Sequence, residues 1–284
     1  MNDNFVRPML STDLKMAMDL AISEGWNQTE LDWRLLLENS ANVCLIAENN
    51  GRVIGTATAI NYSNLEAWIG MVLVDKEYRR QGLGRLLMTS IMDNLKGFRS
   101  VKLDATPAGQ PVYQKLGFIE EYLLYRMVCP SFNDIQKTGD HSVETIKKED
   151  LADVIKFDSE IFGVDRTYLV ETIRNNYPHK AFALKKNGKI EGYILGRDGI
   201  RFNYIGPVFA QSSGDAILLI SRALENLKDS AVAIDVMNGR SELTAWLEES
   251  GFETQRQFTR MYLNTNPFPG KTENQYLIMG PEFG

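Results

Sequence analysis

Residues 79–84 read RRQGLG and bring two arginines and two glycines close together. The apolar run AWIGMVLV precedes them, and residues 84–95 place apolar side chains at helical spacing. These patterns predict a buried strand, a glycine-containing loop and a helix. Such a loop directs several backbone N–H groups and the positive end of the helix dipole toward one point, which suits a phosphate. The glycines let a ligand approach the backbone, and Arg79, Arg80 and Arg85 supply positive charge.

The spacing of these glycines excludes two common phosphate-binding loops. The Gly-Lys-Ser/Thr ending of a nucleotide P-loop is absent, and Leu87 stands where the dinucleotide-binding motif has its third glycine. A G-x-G pair alone is a weak signal, so a second motif is needed. That motif is a tyrosine four residues before a Gly-Phe pair, at Tyr113 and Gly117-Phe118.

The two motifs together resemble the acetyl-CoA signature of the GNAT superfamily of N-acetyltransferases. The family pattern is Gln or Arg, two residues, Gly, one residue, then Gly or Ala, and residues 79–84 match every fixed position. The resemblance covers roughly residues 5–128. It implies that acetyl-CoA is the cosubstrate and that the backbone of Leu73 and Val74 pairs with the pantetheine amides. The remaining candidate cofactor-binding residues are Arg79, Arg80, Gln81, Gly82, Leu83, Gly84, Arg85 and Thr106.

The resemblance also implies the chemistry, which is direct attack by a neutral amine on a thioester. This reaction needs a base for the ammonium proton and a donor for the leaving thiolate. Tyr113 matches the family's tyrosine and is the candidate acid, although packing on a short helix would give the same sequence. Glu66, on the strand before the loop, is the candidate base, with an exposed strand end or a water chain as alternatives. Asp104 and Thr106 end the next strand and are placed to line the site, unless Asp104 caps the segment before Pro107.

Several segments recur in the same order along the chain. NGRVIG at residues 50–55 returns as NGKIEG at 187–192, an offset of 187 minus 50, or 137. VKLDA returns as VAIDV, and LGFIEEYLLYRMV returns as SGFETQRQFTRMY. We interpret this pattern as one fold occurring twice, although Asn-Gly turns and Gly-Phe pairs are common in α/β proteins. The predicted domains are an acetyl-CoA-binding catalytic domain at 1–130, a linker at 131–140 and a degenerate GNAT-like domain at 141–284.

The predicted fold class is α+β, with a mixed, mostly antiparallel sheet flanked by helices in each half. In the first half, residues 12–23, 28–38 and 84–95 are predicted helices, and the Asn-Gly pair is predicted to join two strands. VKLDA is another predicted strand, PVYQKL is a short helix opened by Pro111, and FIEEYLLYRMV is a terminal strand.

The second half lacks the glycine loop. QSSGDA, residues 211–216, stands opposite RRQGLG, with Asp215 where a phosphate would be repelled, and Leu247 replaces Tyr113. This half is therefore expected to bind no CoA, and its polar residues either recognise the acceptor or form a solvated face. The C-terminal run YLIM is expected to pair with a sheet edge or to cross to the first domain. The candidate acceptor-binding residues are Asp165, Arg166, His179, Arg197, Asp198, Arg201 and Tyr204.

The amino-acid composition argues against several classes of binding partner and cofactor. The net charge of −6 argues against general nucleic-acid binding, and no apolar run reaches the roughly 18 residues of a membrane span. Cys44 and Cys129 are too few for a disulfide framework, and the N-terminal residues lack a secretory pattern, so a cytoplasmic location is expected. His141 and His179 leave little for a metal site.

The leading hypothesis is an acetyl-CoA-dependent N-acetyltransferase acting on a small amine, with the oligomeric state left open. One alternative is a non-catalytic acyl-CoA sensor, which would keep the loop and be indifferent to Tyr113. The other is an aminoacyl or peptidyl transferase on a tandem GNAT fold, against which the intact loop counts.

Overall fold

A single mixed sheet of 13 strands runs through the computed structural model, which describes residues 5–133 and 142–284. The first half comprises β1 (Phe5–Pro8), α1 (Leu14–Ser23), α2 (Glu30–Glu38), β2 (Val43–Asn49), β3 (Arg52–Tyr62), β4 (Glu66–Val74), α3 (Leu83–Asn94), β5 (Ser100–Ala105), α4 (Gln110–Lys115) and β6 (Ile119–Cys129). The second half comprises β7 (Val143–Thr145), α5 (Leu151–Phe162), α6 (Thr167–Asn176), β8 (Phe182–Lys186), β9 (Lys189–Arg197), β10 (Asn203–Ala210), α7 (Ser213–Leu224), β11 (Val232–Met237), α8 (Ser241–Glu249), β12 (Glu253–Asn264) and β13 (Gln275–Leu277).

The elements confirm the predicted α+β fold class and its repetition. Asn50 and Gly51 have φ values of 49° and 78°, and Asn187 and Gly188 have 52° and 75°, so both Asn-Gly pairs turn through the left-handed region that a two-residue hairpin requires. The first predicted helix begins two residues late because Ser11–Asp13 forms a 3-10 turn.

The sheet order shows that the two halves exchange their last long strands. The order is β1-β2-β3-β4-β5-β12-β6-β11-β13-β10-β9-β8-β7. β12, from the second half, lies between β5 and β6, while β6, from the first half, pairs with β11. The segments that recur in the sequence did not predict this exchange of strands. The boundaries at 130 and 141 stay a prediction, and residues 134–140 of the proposed linker lie outside the described residues.

Two reciprocal ion pairs join the exchanged strands to their neighbours. The Arg126 guanidinium donates to both carboxylate oxygens of Asp235, at 2.8 and 2.6 Å. Arg260 donates to both oxygens of Asp104, at 2.9 and 2.9 Å. Each arginine thus binds the aspartate of the other half, and these are the residues that recur in RMV/RMY and in LDA/IDV.

Helices cover both faces of the sheet, and each of the three large cores contains residues of both halves. Leu87 and Ile91 of α3 pack with β2–β5 in a core on one face. On the other face, Trp68 belongs to a core built from both halves, and the Phe162 ring lies 6.1 Å from the Trp68 ring. The two halves are therefore held together by apolar packing as well as by the continuous sheet.

The C-terminal tail crosses from the second half to the first. β13 lies between β10 and β11, where Leu277 pairs with Val208 and Val236. Residues 278–284 then reach the first half, where the Trp68 Nε1 atom donates to the Pro281 carbonyl at 3.0 Å. The expected crossing to the first half is thus found, whereas the strand pairs inside the sheet and not at a sheet edge.

Replacing Arg260 should test the ion pair that closes the exchange. Arg260→Met leaves the Asp104 carboxylate buried without its guanidinium, so we expect a loss of about 3 to 5 kcal/mol in the free energy of unfolding. Urea unfolding measures this loss, and adding Asp104→Leu should restore part of it. As a control, Arg34→Ala removes the exposed pair with Glu30 and should hardly move the midpoint. Equal midpoints for Arg260→Met and Arg34→Ala would contradict the role of the pair.

Candidate active site

The parallel strands β4 and β5 diverge partway along their length. They pair from Glu66 to Ile69, opposite Ser100 to Leu103, and β4 then continues to Val74 alongside β3 only. Met71 has a φ of 51°, at an irregularity in the pairing with β3, which turns the strand locally. A cavity of about 700 Å³ opens at this divergence and is lined by β4 from Ile69 to Val74.

The glycine loop lies in the wall of this cavity at the start of α3. Gly82 has a φ of 83°, and a side chain added there would meet no atom within 4 Å, so the space in front of the helix is open. A side chain added at Gly84 would have Val74 as its nearest neighbour, at 3.8 Å. The first N–H groups of a helix have no partner within the helix, so this open N-terminus fits an anion such as a diphosphate.

The three arginines near the loop have different surroundings. Arg79 lines the cavity, but its Nε atom donates to the Val74 carbonyl at 2.9 Å and its Nη2 atom lies 2.7 Å from Glu24. Arg79 therefore ties the loop to β4 and to the end of α1. Arg80 and Arg85 also line the cavity and are exposed, which leaves them available to a bound anion. Gln81 donates to the Glu77 carbonyl at 3.1 Å and does not line the cavity.

Tyr113 lines the same cavity from α4. Its ring packs edge-on against Phe118, 6.0 Å away, and a side chain at Gly109 would come within 3.0 Å of the ring. Burial raises the pKa of Tyr113 to about 12, so the phenol stays protonated near neutral pH. Thr106 also lines the cavity, and its hydroxyl accepts a hydrogen bond from the Gly109 N–H group at 3.2 Å.

The two carboxylates predicted on the strands differ in their access to the cavity. Glu66 is fully buried, forms an ion pair with Lys102 at 3.0 Å and does not line the cavity. Burial raises the pKa of Glu66, and the charge of Lys102 opposes this shift. Asp104 does line the cavity, bound by Arg260, and burial raises the pKa of its carboxyl. The structure thus places Asp104, rather than Glu66, in the wall of the cavity.

The predicted acceptor residues of the second half mostly lie away from the cavity, and Arg201 alone among them lines it within the described residues. Asp165, His179 and Asp198 are exposed elsewhere. Arg197 and Tyr204 are buried behind the lining, where Arg197 contacts Glu282 and the Tyr204 hydroxyl donates to Asp235 at 2.7 Å. Arg166 is buried against Asp158, and His141 lies outside the described residues.

Sequence analysis missed the lining residues that only long-range contacts reveal. They come from the loop between α1 and α2, from the exchanged strands and from the C-terminal tail. The repeated Arg-Met pair marked Arg126 as part of a repeat, but no local signal marked the others. The missed lining residues with polar side chains are Glu24, Asn27, Gln28, Arg126, Gln255, Arg256 and Glu282.

The corresponding positions in the second half are filled by the chain itself. The Ser212 hydroxyl accepts from the Asp215 N–H group at the start of α7, and the Asp215 carboxylate lies 2.6 Å from Lys186. β10 and β11 pair from Asn203 to Ile205 and then diverge as β4 and β5 do, but β13 occupies the gap. In the second half, protein atoms therefore occupy the helix N-terminus and the gap between the diverging strands, both of which are open in the first half.

Residues 5–133 and 142–284 contain neither a cluster of metal ligands nor a helix that could span a membrane. No group of three or more His, Cys, Asp or Glu residues there is arranged to hold a metal ion. Across the same residues, no helix has the length and apolar character needed to cross a membrane.

Comparison with known proteins identifies both halves. Residues 10–118 match the acetyltransferase (GNAT) family, and residues 154–277 match an acetyltransferase (GNAT) domain. An uncharacterized N-acetyltransferase, YitH of Bacillus subtilis, is 30% identical over 65% of this chain and 65% of its own length. The holothin acyltransferase of a Pseudoalteromonas species is 24% identical over 92% of this chain and 88% of its own.

A solved structure shares the whole fold. The crystal structure of a putative acetyltransferase from Pyrococcus horikoshii superposes with a TM-score of 0.83 at 21% identity, covering 100% of this chain and 97% of the other. At this level of identity the likeness concerns the fold alone.

Asn27 joins the loop between α1 and α2 to the second half, and its replacement tests that contact. The Arg201 and Phe202 N–H groups both donate to the Asn27 Oδ1 atom at 2.9 Å, and the Nδ2 atom donates to the Phe202 carbonyl at 3.0 Å. Asn27→Ala should therefore speed hydrogen exchange at the amides of 201 and 202. As a control, Asn61→Ala, which removes a side-chain bond to Asn64, should leave these amides unchanged. Unchanged protection at 201 and 202 in Asn27→Ala would show that the contact does not hold the loop.

Proposed function

The chain belongs to the GNAT superfamily of acetyltransferases, and from that membership we propose that it moves an acetyl group from acetyl-CoA to a primary amine of a small-molecule acceptor. It is an acyltransferase with two GNAT domains. The observation that carries the proposal is that one cavity contains the diverging end of β4, the open N-terminus of α3 and the Tyr113 ring.

We assign the binding of acetyl-CoA to the first half. The N–H groups at the start of α3, with Arg80 and Arg85, would hold the diphosphate, and the backbone of Leu73 and Val74 would face the pantetheine arm. The Val74 carbonyl already accepts from Arg79, so the pantetheine amides would rely on the other backbone groups of β4 or displace this bond. Bound acetyl-CoA supplies an activated thioester.

The chemical step needs three proton transfers. The amine nitrogen forms a bond to the acetyl carbon and loses a proton as the amide forms, and the carbon–sulfur bond breaks. The Tyr113 hydroxyl donates its proton to the leaving thiolate and regains the proton that the nitrogen releases. The ammonium proton must leave before attack. Glu66 stays a prediction for this role, but it does not reach the cavity, so it would act only through water. Asp104 and Glu282 line the cavity, although arginines hold both carboxylates.

The size of the cavity favours transfer over sensing. A sensor needs a site for the acyl-CoA, whereas this cavity continues past β4 to the second half and the C-terminal tail, which leaves room for an acceptor. An aminoacyl or peptidyl transferase on a tandem GNAT fold stays an alternative, but no contact among the described residues favours it. The small number of cysteines supports a cytoplasmic location.

Adding a carboxylate at the loop should abolish CoA binding. Gly82→Glu places bulk and negative charge at the proposed diphosphate position, so we expect no heat of binding when CoA is titrated into the variant. Gly214→Glu is the matched control, because Gly214 lies at the start of α7, where an added side chain also has space. The loop assignment fails if Gly82→Glu binds CoA as the unmodified protein does, or if Gly214→Glu alone loses binding.

Removing the hydroxyl of Tyr113 should affect turnover and not cosubstrate binding. We expect Tyr113→Phe to lower kcat about 100-fold while the Kd for CoA stays nearly constant, because only the proton donor is lost. Since the pKa of Tyr113 is about 12, the unmodified enzyme should show no loss of kcat from its ionisation between roughly pH 6 and 10. Tyr262→Phe, outside the cavity, is the control. A Tyr113→Phe variant with full kcat would remove Tyr113 as the acid.

A further inference from the structure

Three arginines converge on one part of the cavity. Arg126 of β6 and Arg256 of β12 are partners across the exchanged strands, and Arg201 reaches the same cavity from the segment before β10. Burial lowers the pKa of Arg256, the charges of Arg126 and Arg201 lower it further, and the charge of Asp235 opposes this shift.

Only part of this positive charge is balanced. Asp235 binds Arg126 through both oxygens, and Arg201 donates to the Gly25 carbonyl at 3.2 Å. The Arg256 guanidinium has neither an ion pair nor a hydrogen bond to any residue of the described ranges, although it is accessible from the cavity. A free guanidinium beside two others is stabilised when an anion binds between them.

The Arg126 and Arg256 side chains lie on the face of the sheet opposite to the one that α3 covers. Side chains alternate along a strand, so Arg256 and Phe258 share a face, and the Arg126 guanidinium lies over the Phe258 ring at 5.3 Å. The next residue of that series, Arg260, lies over Trp68 at 4.3 Å. Trp68 packs with α1 and α2, whereas α3 packs on the opposite face.

A second group of residues contains carboxylates. Arg197 contacts two of them, Asp32 at 2.8 Å and Glu282. Burial raises the pKa of Asp32, and the charge of Arg197 opposes this shift. Glu282 lines the cavity, and its backbone packs directly on Gly70, one residue after β4 leaves β5. Gln28 also lines the cavity, and its buried Oε1 atom has no hydrogen-bond donor among the described residues.

We propose that the acceptor carries an anionic group as well as its amine. Arg256, with Arg126 and Arg201, binds the anion, a carboxylate or a phosphate, while Glu282 and the Gln28 Oε1 atom receive the ammonium group beside β4. Such an acceptor brings an anion to the arginines and an ammonium group to Glu282. This inference rests on the proposed function for the identity of the reaction, and on the charges alone for the binding of the anion.

Matched pairs of amines test this inference. Phenylalanine and phenethylamine differ by one carboxylate, as do leucine and 3-methylbutylamine, and O-phosphoethanolamine differs from ethanolamine by one phosphate. Binding of each to the CoA-saturated protein is measured by calorimetry, and acetylation by thiol release from acetyl-CoA. We expect at least one anionic member to bind about 10-fold or more tightly than its partner, and the difference between the carboxylate and phosphate pairs identifies the anion.

Arg256→Met should remove this preference while leaving the Kd for CoA unchanged. Arg222→Met, which removes a surface pair with Glu225, is the control and should keep the preference. The inference is overturned if no anionic member binds more tightly than its uncharged partner, or if Arg256→Met keeps the preference. If anionic members bind through Arg256 but none is acetylated, the inference stands and the proposed function is weakened. If both members of each pair are acetylated equally well, the proposed function stands and the inference fails.

Discussion

The reciprocal exchange of β6 and β12 is the constraint on which the rest of the structure depends. Each strand leaves its own half, and each carries an arginine that binds a buried aspartate on the neighbouring strand of the other half. A buried guanidinium without its carboxylate is costly, so these pairs favour one register and one arrangement of the halves. The exchange also brings Arg126 and Arg256 side by side, which neither half would do alone.

The C-terminal tail makes the corresponding gaps of two similar domains different. The gap between β4 and β5 is open, whereas β13 fills the gap between β10 and β11. The same tail continues into the first half and places Pro281 and Glu282 in the wall of its cavity. One segment thus closes one potential site and contributes to the other, so the second half takes part in the site through shape and charge.

Local signals predicted the elements of the fold and the part of the cavity wall formed by β4, the glycine loop and Tyr113. The Asn-Gly turns, the strand before RRQGLG, the helix after it and Tyr113 all lie within short segments whose residues define their own geometry. The strand exchange and the tail could not be predicted in this way, because they depend on pairing between strands that are distant in the sequence, more than 100 residues apart for the exchanged strands. For the same reason the polar loops of the second half looked like an acceptor site, although most of their charged groups are buried in ion pairs or exposed elsewhere.

The central claim is that cosubstrate and acceptor meet in one cavity built by the first half, the exchanged strands and the tail. A crystal structure of the protein with bound coenzyme A tests this claim most directly. The account predicts density for one molecule, with its diphosphate at the N-terminus of α3, its thiol between β4 and β5 near Tyr113, and β13 still in place. Density in the second half with β13 displaced, or a thiol directed away from Glu282 and Arg256, would contradict it.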